Sequence, residues 1–461
     1  MLEILGVRLL APYVGLTLET TTSIIGVVLA GIAGGSALGG RAADRSDPRR
    51  LLSGLLVSGG LLALCTVPLV RLLGPGVEGG GDLAALGVAA AALLPPAAVL
   101  SAVTPTVARL ELRDLARSGT VVGRLSAWAT AGALAGTFGT GFVLVPLVSV
   151  STSVLAVGSL LVAAGLAFGL ASGSARAGPA VVLVTIACGA AALSLAVGSP
   201  CEVESTYHCA TVTVDPDRPS GRVLVLDDLR HSYVDLEDPR HLEFEYVRWI
   251  ADAVAGVQPR DAPLDAVFAG GGGFTLPRWL AAARPGSRSR VLEVDADVVS
   301  LARARLGLRT SPALRVTLGD ARVALRDLAG DSADVLVGDA FGAVAVPWHL
   351  ATAEWVAEVR RVLRPGGLYA LNVIDGGGLK LFRAQAATLL AAFTDVRAVA
   401  RPGPSGPNLV LLGSDRRLGP GVGSAAGGAR AFDRAAVTRL AAGAEPLRDD
   451  DAPADQLLSS R

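Results

Sequence analysis

The 461-residue sequence predicts an α-helical membrane bundle of six to seven spans followed by an α/β domain with a parallel sheet, and three observations carry that prediction. Apolar content is spread unevenly. Up to about Pro200 the chain is a series of apolar runs broken by short Gly, Pro and Arg stretches, whereas charges and turn residues fill the remainder. Six of the runs reach the roughly 20 residues a helix needs to cross the hydrocarbon core of a bilayer. From Ala262 onward, apolar strands alternate with amphipathic helices, the pattern of a sheet covered on both faces. The expected division is therefore 1–200 in the membrane, 201–260 as a β-rich entry with a first helix, and 261–461 as the α/β domain.

The six spans are expected near 21–40, 51–70, 84–103, 123–147, 151–170 and 179–198. A seventh apolar segment, 2–16, is short and holds Glu3 and Arg8. It is either tilted and shallow or the continuation of a start upstream of Met1, and without a cleavable signal pattern it reads as a retained helix. Ionisable residues inside a membrane mark function, unless they snorkel to the interface, and both readings stay open for Glu3 and Arg8. Gly31, Gly35 and Gly39, and again Gly132 and Gly136, recur every fourth residue and offer small faces for close helix packing. Cys65 and Cys188 lie in apolar runs and read as small buried hydrophobes.

Arginine marks the cytoplasmic loops. Arg41, Arg45, Arg49 and Arg50 follow the first span, Arg109, Arg113 and Arg117 follow the third, and Arg176 precedes the last, while the alternate loops carry only Arg71. Counting from these loops puts the exit of the last span, and the α/β domain with it, on the extracytoplasmic side. Cys201 and Cys209 flank a short polar loop just beyond that exit, a spacing that allows a disulfide in an oxidising compartment. Zinc is the weaker reading there, because His208 is the one other soft ligand nearby. Net charge is zero, lysine is almost absent, and no basic cluster is interleaved with aromatics, so nucleic acid is not an expected partner.

Beyond the membrane half, 210–214 and 222–226 alternate in β-branched residues around the turn 215–221 and predict a hairpin. The parallel strands are expected at 265–269, 290–293, 314–318, 333–337 and 368–373, with 408–412 closing the edge. Ligands of such sheets bind beyond the carboxyl ends of the strands, and the unusual residues gather there. Gly270, Gly271, Gly272 and Gly273 follow the first strand, where a backbone without side chains approaches a ligand closely. Glu293 ends the second strand about twenty residues on, at the place of a ribose-binding carboxylate. Asp320 and Ala321 end the third, and Asp339 ends the fourth.

This succession becomes specific when its neighbours are added: Glu293-Val-Asp295, Gly319-Asp320-Ala321, Asp339-Ala-Phe341, Pro347-Trp-His349-Leu350 and Leu363-Arg-Pro365-Gly366-Gly367. Over about 224–457 it resembles the spermidine synthase family. Leu226-Asp227-Asp228 with His231-Ser232 is similar to the family's substrate-gripping β segment, Glu243-Phe-Glu-Tyr246 to its following helix, and Asp449-Asp450-Asp451-Ala452-Pro453 to its closing segment. The membrane half, including Leu9-Leu-Ala-Pro-Tyr13, resembles the region found in fused membrane forms of the family.

The resemblance implies a Rossmann-like domain of the AdoMet-methyltransferase type. It also implies transfer of an aminopropyl group from decarboxylated AdoMet to an amine, without a metal. Asp339 would be the general base with Tyr246 beside it, Glu293 would hold the ribose, Asp320 and Ala321 the adenine side, and Gly270 to Gly273 would pass under the donor. The chain departs from the family where acids are usual: Gly273 in the glycine loop, Gly342 after the base, and Leu242 before Glu243. His231 replaces a Gln, and Val247 replaces a His. The amine site is therefore altered. Methyl transfer from AdoMet itself, or a transporter or sensor that retains nucleoside binding, stay open as alternatives. Trp348 and His349 read as helix-entry packing. A small-molecule amine and the lipid bilayer are the expected partners, and homo-oligomerisation stays open.

Overall fold

A computed structural model describes residues 1–15, 18–77, 81–112, 118–173, 177–342, 346–375, 378–401, 408–419, 422 and 428–459. Leu16, Arg113, Arg117 and Arg176, used in the span and orientation arguments above, lie outside the described residues. The chain divides into two compact units, Met1–Thr211 with Leu226–Asp228, and Val212–Val225 with Leu229–Arg461.

The first unit is built from α1 (Leu2–Val14), α2 (Leu18–Arg45), α3 (Pro48–Leu73), α4 (Gly81–Ser101), α5 (Val103–Glu111), α6 (Ser118–Gly139), α7 (Val145–Leu147), α8 (Val150–Ala171) and α9 (Ala177–Ala196). Among the described residues, five helical stretches are long and apolar enough to cross a membrane: Thr20–Arg45, Pro48–Gly76, Leu83–Glu111, Ser118–Leu147 and Val150–Ala171. At the sixth expected span the described residues give a shorter apolar helix, Val182–Ser194. The glycine stripe of α2 packs as expected against a neighbouring helix, meeting α4 and the residue that follows it. A Cβ on Gly35 would stand 1.9 Å from the Ala98 carbonyl oxygen, and one on Gly39 would stand 2.4 Å from the Ala102 Cβ. The second glycine pair behaves differently, since Gly132 faces open space and Gly136 meets only Met1. Cys65 and Cys188 are exposed rather than buried. In a bundle bathed in lipid the outward faces are as apolar as the inward ones, so an apolar run does not say which way a residue points.

A polar hub closes one end of this unit. The Arg71 guanidinium, in the last turn of α3, donates to the Ser194 and Val197 carbonyls at the end of α9 and to Ser151 Oγ at the start of α8. Glu204 accepts from the Ser151 amide at 3.0 Å and from its hydroxyl at 2.6 Å. Arg8 donates to the carbonyls of Ser205, Thr206 and Tyr207. It is therefore anchored to that loop. Cys201 and Cys209 are joined in a disulfide that staples the same loop.

A small sheet of order β1-β2-β3-β4 follows, from β1 (Val203–Glu204), β2 (Cys209–Val214), β3 (Gly221–Leu226) and β4 (Leu229–Asp235). The predicted hairpin is β2 and β3, closed where the Asp215 amide donates to the Gly221 carbonyl. The second unit continues with α10 (Glu245–Ala255), β5 (Asp265–Ala269), α11 (Thr275–Ala283), β6 (Arg288–Glu293), α12 (Ala296–Arg305), β7 (Leu314–Leu318), α13 (Ala321–Arg326) and β8 (Ala333–Gly338). It ends with α14 (Ala353–Val362), β9 (Leu363–Ile374), α15 (Lys380–Ala392), β10 (Asp395–Ala400), β11 (Asn408–Ser414), β12 (Arg430–Phe432), α16 (Arg434–Leu440) and α17 (Ala454–Ser459).

The eight strands β5 to β12 form one sheet of order β12-β10-β11-β9-β8-β5-β6-β7. Pairings among β5 to β9 are parallel, while β11 runs antiparallel to β9, and β10 antiparallel to both β11 and β12. The sheet is thus mixed, and 408–412 is an inner strand instead of the edge. Asp395-Val-Arg-Ala-Val-Ala400 alternates too weakly to announce the strand that covers it. Order reverses between β5 and β8, the switch point of a Rossmann-like sheet, where a crevice opens beyond the strand ends. Aspartates set the helix entries around it: Asp295 accepts from the Asp297 and Val298 amides, and Asp320 from those of Arg322 and Val323.

Candidate active site

At the switch point the end of β5 and the end of β8 are in contact through backbone. The Asp339 amide donates to the Ala269 carbonyl at 2.9 Å. Gly270 sits beside it with φ +97°, and a Cβ there would lie 2.2 Å from the Asp339 carbonyl oxygen. Both the backbone angle and the space demand glycine at this position.

The Asp339 carboxylate is held from two sides. Asn372 Nδ2 on β9 donates to Oδ1 at 2.8 Å, and the Tyr246 hydroxyl on α10 donates to Oδ2 at 3.3 Å. Enclosure pushes the Asp339 carboxyl up to about 6, against the two hydrogen bonds that favour its charge. Burial, and then the neighbouring carboxylate, hold the Tyr246 phenol well above its usual range, so it remains a donor. Asp339 and Tyr246 face a cleft of about 460 Å³ whose walls include Phe244, Val247, Phe268, Leu276 and Gly271, with Glu243 among its lining. Among the described residues the lining carries two acids, Glu243 and Asp339, and no basic side chain. Its electrostatic preference is for a cation.

The glycine loop turns inward. The Gly270 amide donates to the Leu292 carbonyl, the Gly271 and Gly272 amides to Glu293 Oε2 at 2.8 and 3.3 Å, and the Gly273 amide to Ser232 Oγ at 2.9 Å. Glu293 is 8% exposed, and its second oxygen accepts from the Asp295 amide at 2.9 Å. In this structure the carboxylate expected at a ribose braces the loop. Phe274, fully buried, adopts the left-handed conformation (φ +58°) and closes the loop by donating its amide to the Gly271 carbonyl.

Asp320 stands at the end of β7, before the first residue of α13, Ala321. One oxygen caps that helix, and the other lies 2.8 Å from His349 Nε2. The ring read from sequence as packing therefore meets this carboxylate. Arg322, one residue past Ala321, forms an ion pair with Asp449 of the closing acidic segment. Sequence reasoning did not find Asn372, Asn408 or Phe274. The available signal for Asn372 was a lone amide in the otherwise apolar run 368–374. Among the described residues, no group of three or more His, Cys, Asp or Glu is placed to hold a metal ion.

No protein-family model matches the chain. The polyamine aminopropyltransferase of Vibrio vulnificus (strain CMCP6) is 30% identical over 181 residues, which are 39% of this chain and 58% of that one. The polyamine aminopropyltransferase of Pyrobaculum calidifontis is 32% identical over 159 residues, 32% of this chain and 52% of its own length. The chain thus spans about half the length of the curated relatives it matches. A probable spermidine synthase from Corynebacterium glutamicum superimposes with a TM-score of 0.49 at 28% identity, over 53% of this chain and 94% of that one.

Proposed function

We propose, from the kinship of its C-terminal half with the spermidine synthase family, that this chain is a membrane-anchored aminopropyltransferase with an altered amine site. The observation that carries the reading is Asp339, enclosed at the switch point with Tyr246 and Asn372 on its two oxygens and facing an acidic cleft.

An amine nucleophile must lose a proton before or as it attacks. Asp339 receives it: the amine nitrogen forms a bond to the carbon beside the sulfonium of decarboxylated AdoMet, the carbon–sulfur bond breaks, and methylthioadenosine leaves with the sulfur's electron pair. A carboxylate raised to about 6 is still ionised at neutral pH, and is a better base than an ordinary aspartate. The Tyr246 phenol orients it. Glu293 would exchange part of its bracing for the ribose hydroxyls, Asp320 and Ala321 would flank the adenine, and Gly270 to Gly273 would run beneath the donor. The acceptor is a small amine, gripped by fewer acids than in the family because Leu242 and Gly342 stand where acids are usual.

The chain leaves the bundle on the extracytoplasmic side in this reading, supported by the loop arginines and by the Cys201–Cys209 disulfide. The test is methylthioadenosine release from decarboxylated AdoMet with a panel of di- and polyamines, using the whole chain in membranes. Asp339→Asn should lower turnover by about 10² to 10⁴-fold while methylthioadenosine still binds. No release with any amine, from protein that binds methylthioadenosine, would overturn the transferase reading.

A further inference from the structure

Asn372 is 1% exposed on β9, and both ends of its amide are used: Nδ2 donates to Asp339 Oδ1 at 2.8 Å, and Oδ1 accepts from Asn408 Nδ2 at 3.1 Å. Asparagine is poorly suited to a strand, and a buried amide is tolerated only when it is fully bonded. The register explains how the two amides meet. Asn372 pairs directly with Val410 and Asn408 with Ile374, so Asn408 and Asn372 lie diagonally on one face of the β9/β11 ladder.

We propose that Asn408 is a positioning residue for the Asp339 carboxylate, acting through Asn372, and that the order Asn408 to Asn372 to Asp339 fixes which end of the middle amide faces the base. An amide can flip by half a turn at almost no steric expense. If Asn372 flipped, its oxygen would face the Asp339 carboxylate and its NH₂ would face the NH₂ of Asn408. Both contacts would be repulsive. Asn408 thereby keeps a donor, and not an acceptor, on the side of Asp339 away from Tyr246, and the charged form of the base is the form that is held. The inference rests on the transferase reading for its purpose, but its geometry is independent of it.

The experiment is an infrared titration of the full chain in lipid nanodiscs, following the carboxyl band that Asp339→Asn removes. Asn408→Leu keeps the bulk and deletes the donor that fixes the Asn372 amide, and the Asp339 midpoint should rise by up to about one pH unit as the hydrogen bond from Asn372 to the charged carboxylate is loosened. Asn408→Asp offers an acceptor, turns the Asn372 amide around, and should raise the midpoint further. Methylthioadenosine binding should stay within about twofold in both, a change of under 0.5 kcal/mol. A midpoint unchanged in both variants would overturn the proposal, as would a rise in Asn408→Leu with a fall in Asn408→Asp. If the wild-type chain releases no methylthioadenosine, the transferase reading fails, while the infrared midpoints still decide the role of Asn408. If turnover is present, the acid limb of its pH profile should move with the infrared midpoint.

Discussion

Asp339 is held in a state that costs stability, and in the transferase reading proposed above that state serves chemistry. Its folded value of about 6 lies above that of an unfolded aspartate, so the folded protein binds this proton more tightly. The stability this group contributes is complete at low pH and is lost as pH rises through about 6. Asp339→Asn, an isosteric change that keeps a partner for Asn372 and for Tyr246, should therefore stabilise the protein at pH 8 by on the order of 2 kcal/mol and leave it unchanged at pH 4. Thermal unfolding at the two pH values measures this, and equal effects at both would contradict it. Activity should show the opposite preference, falling about tenfold per unit below pH 6 as the base becomes protonated. Asp339 and Tyr246 were legible in the sequence because each sits in a short local motif. Asn372 and Asn408 were not, because they are 36 residues apart and meet only through the register of an antiparallel pair.

Elements were legible to the degree that their pattern is local. The strands β5 to β9 follow from apolar runs ended by Gly, Glu or Asp, and Asp295 and Asp320 mark the helix starts they cap. The antiparallel extension was not readable, since nothing in 395–400 says that the next strand, β11, will insert between it and β9. Glycine spacing in the membrane half illustrates the same limit, because two identical four-residue repeats have opposite surroundings. Gly35 leaves no room for a methyl group against the Ala98 carbonyl, whereas Gly132 faces open space. Gly35→Ala must push α2 away from α4 and should destabilise the bundle by about 1–3 kcal/mol. Gly132→Ala should be neutral or slightly favourable, as alanine is the better helix former. Thermal stability in detergent compares the two, and indistinguishable variants would refute the packing assigned to α2 and α4.

At the scale of the whole molecule, the hub around Arg71 constrains how the chain crosses the membrane. It brings together the end of α3, the start of α8 and the end of α9, so these three helix ends lie on one face of the bundle. Asp44 and Arg109 meet within 4.0 Å, which pairs the end of α2 with the end of α5. This is the arrangement that alternate crossings require, with Arg41, Arg45, Arg49 and Arg50 on the face opposite the hub. In the orientation proposed above that opposite face lies in the cytoplasm, because arginine is retained there, and the disulfide within the loop attached to the hub lies where thiols are oxidised. Two unrelated forces therefore support the same proposed orientation. In intact cells, a membrane-impermeant phosphine followed by a charged maleimide should label Cys201 and Cys209, while a cysteine introduced as Asp44→Cys should react only after permeabilisation. The native Cys65 and Cys188 give little background, because they lie on apolar helix faces that a charged reagent reaches poorly. The reverse pattern would place the hub in the cytoplasm.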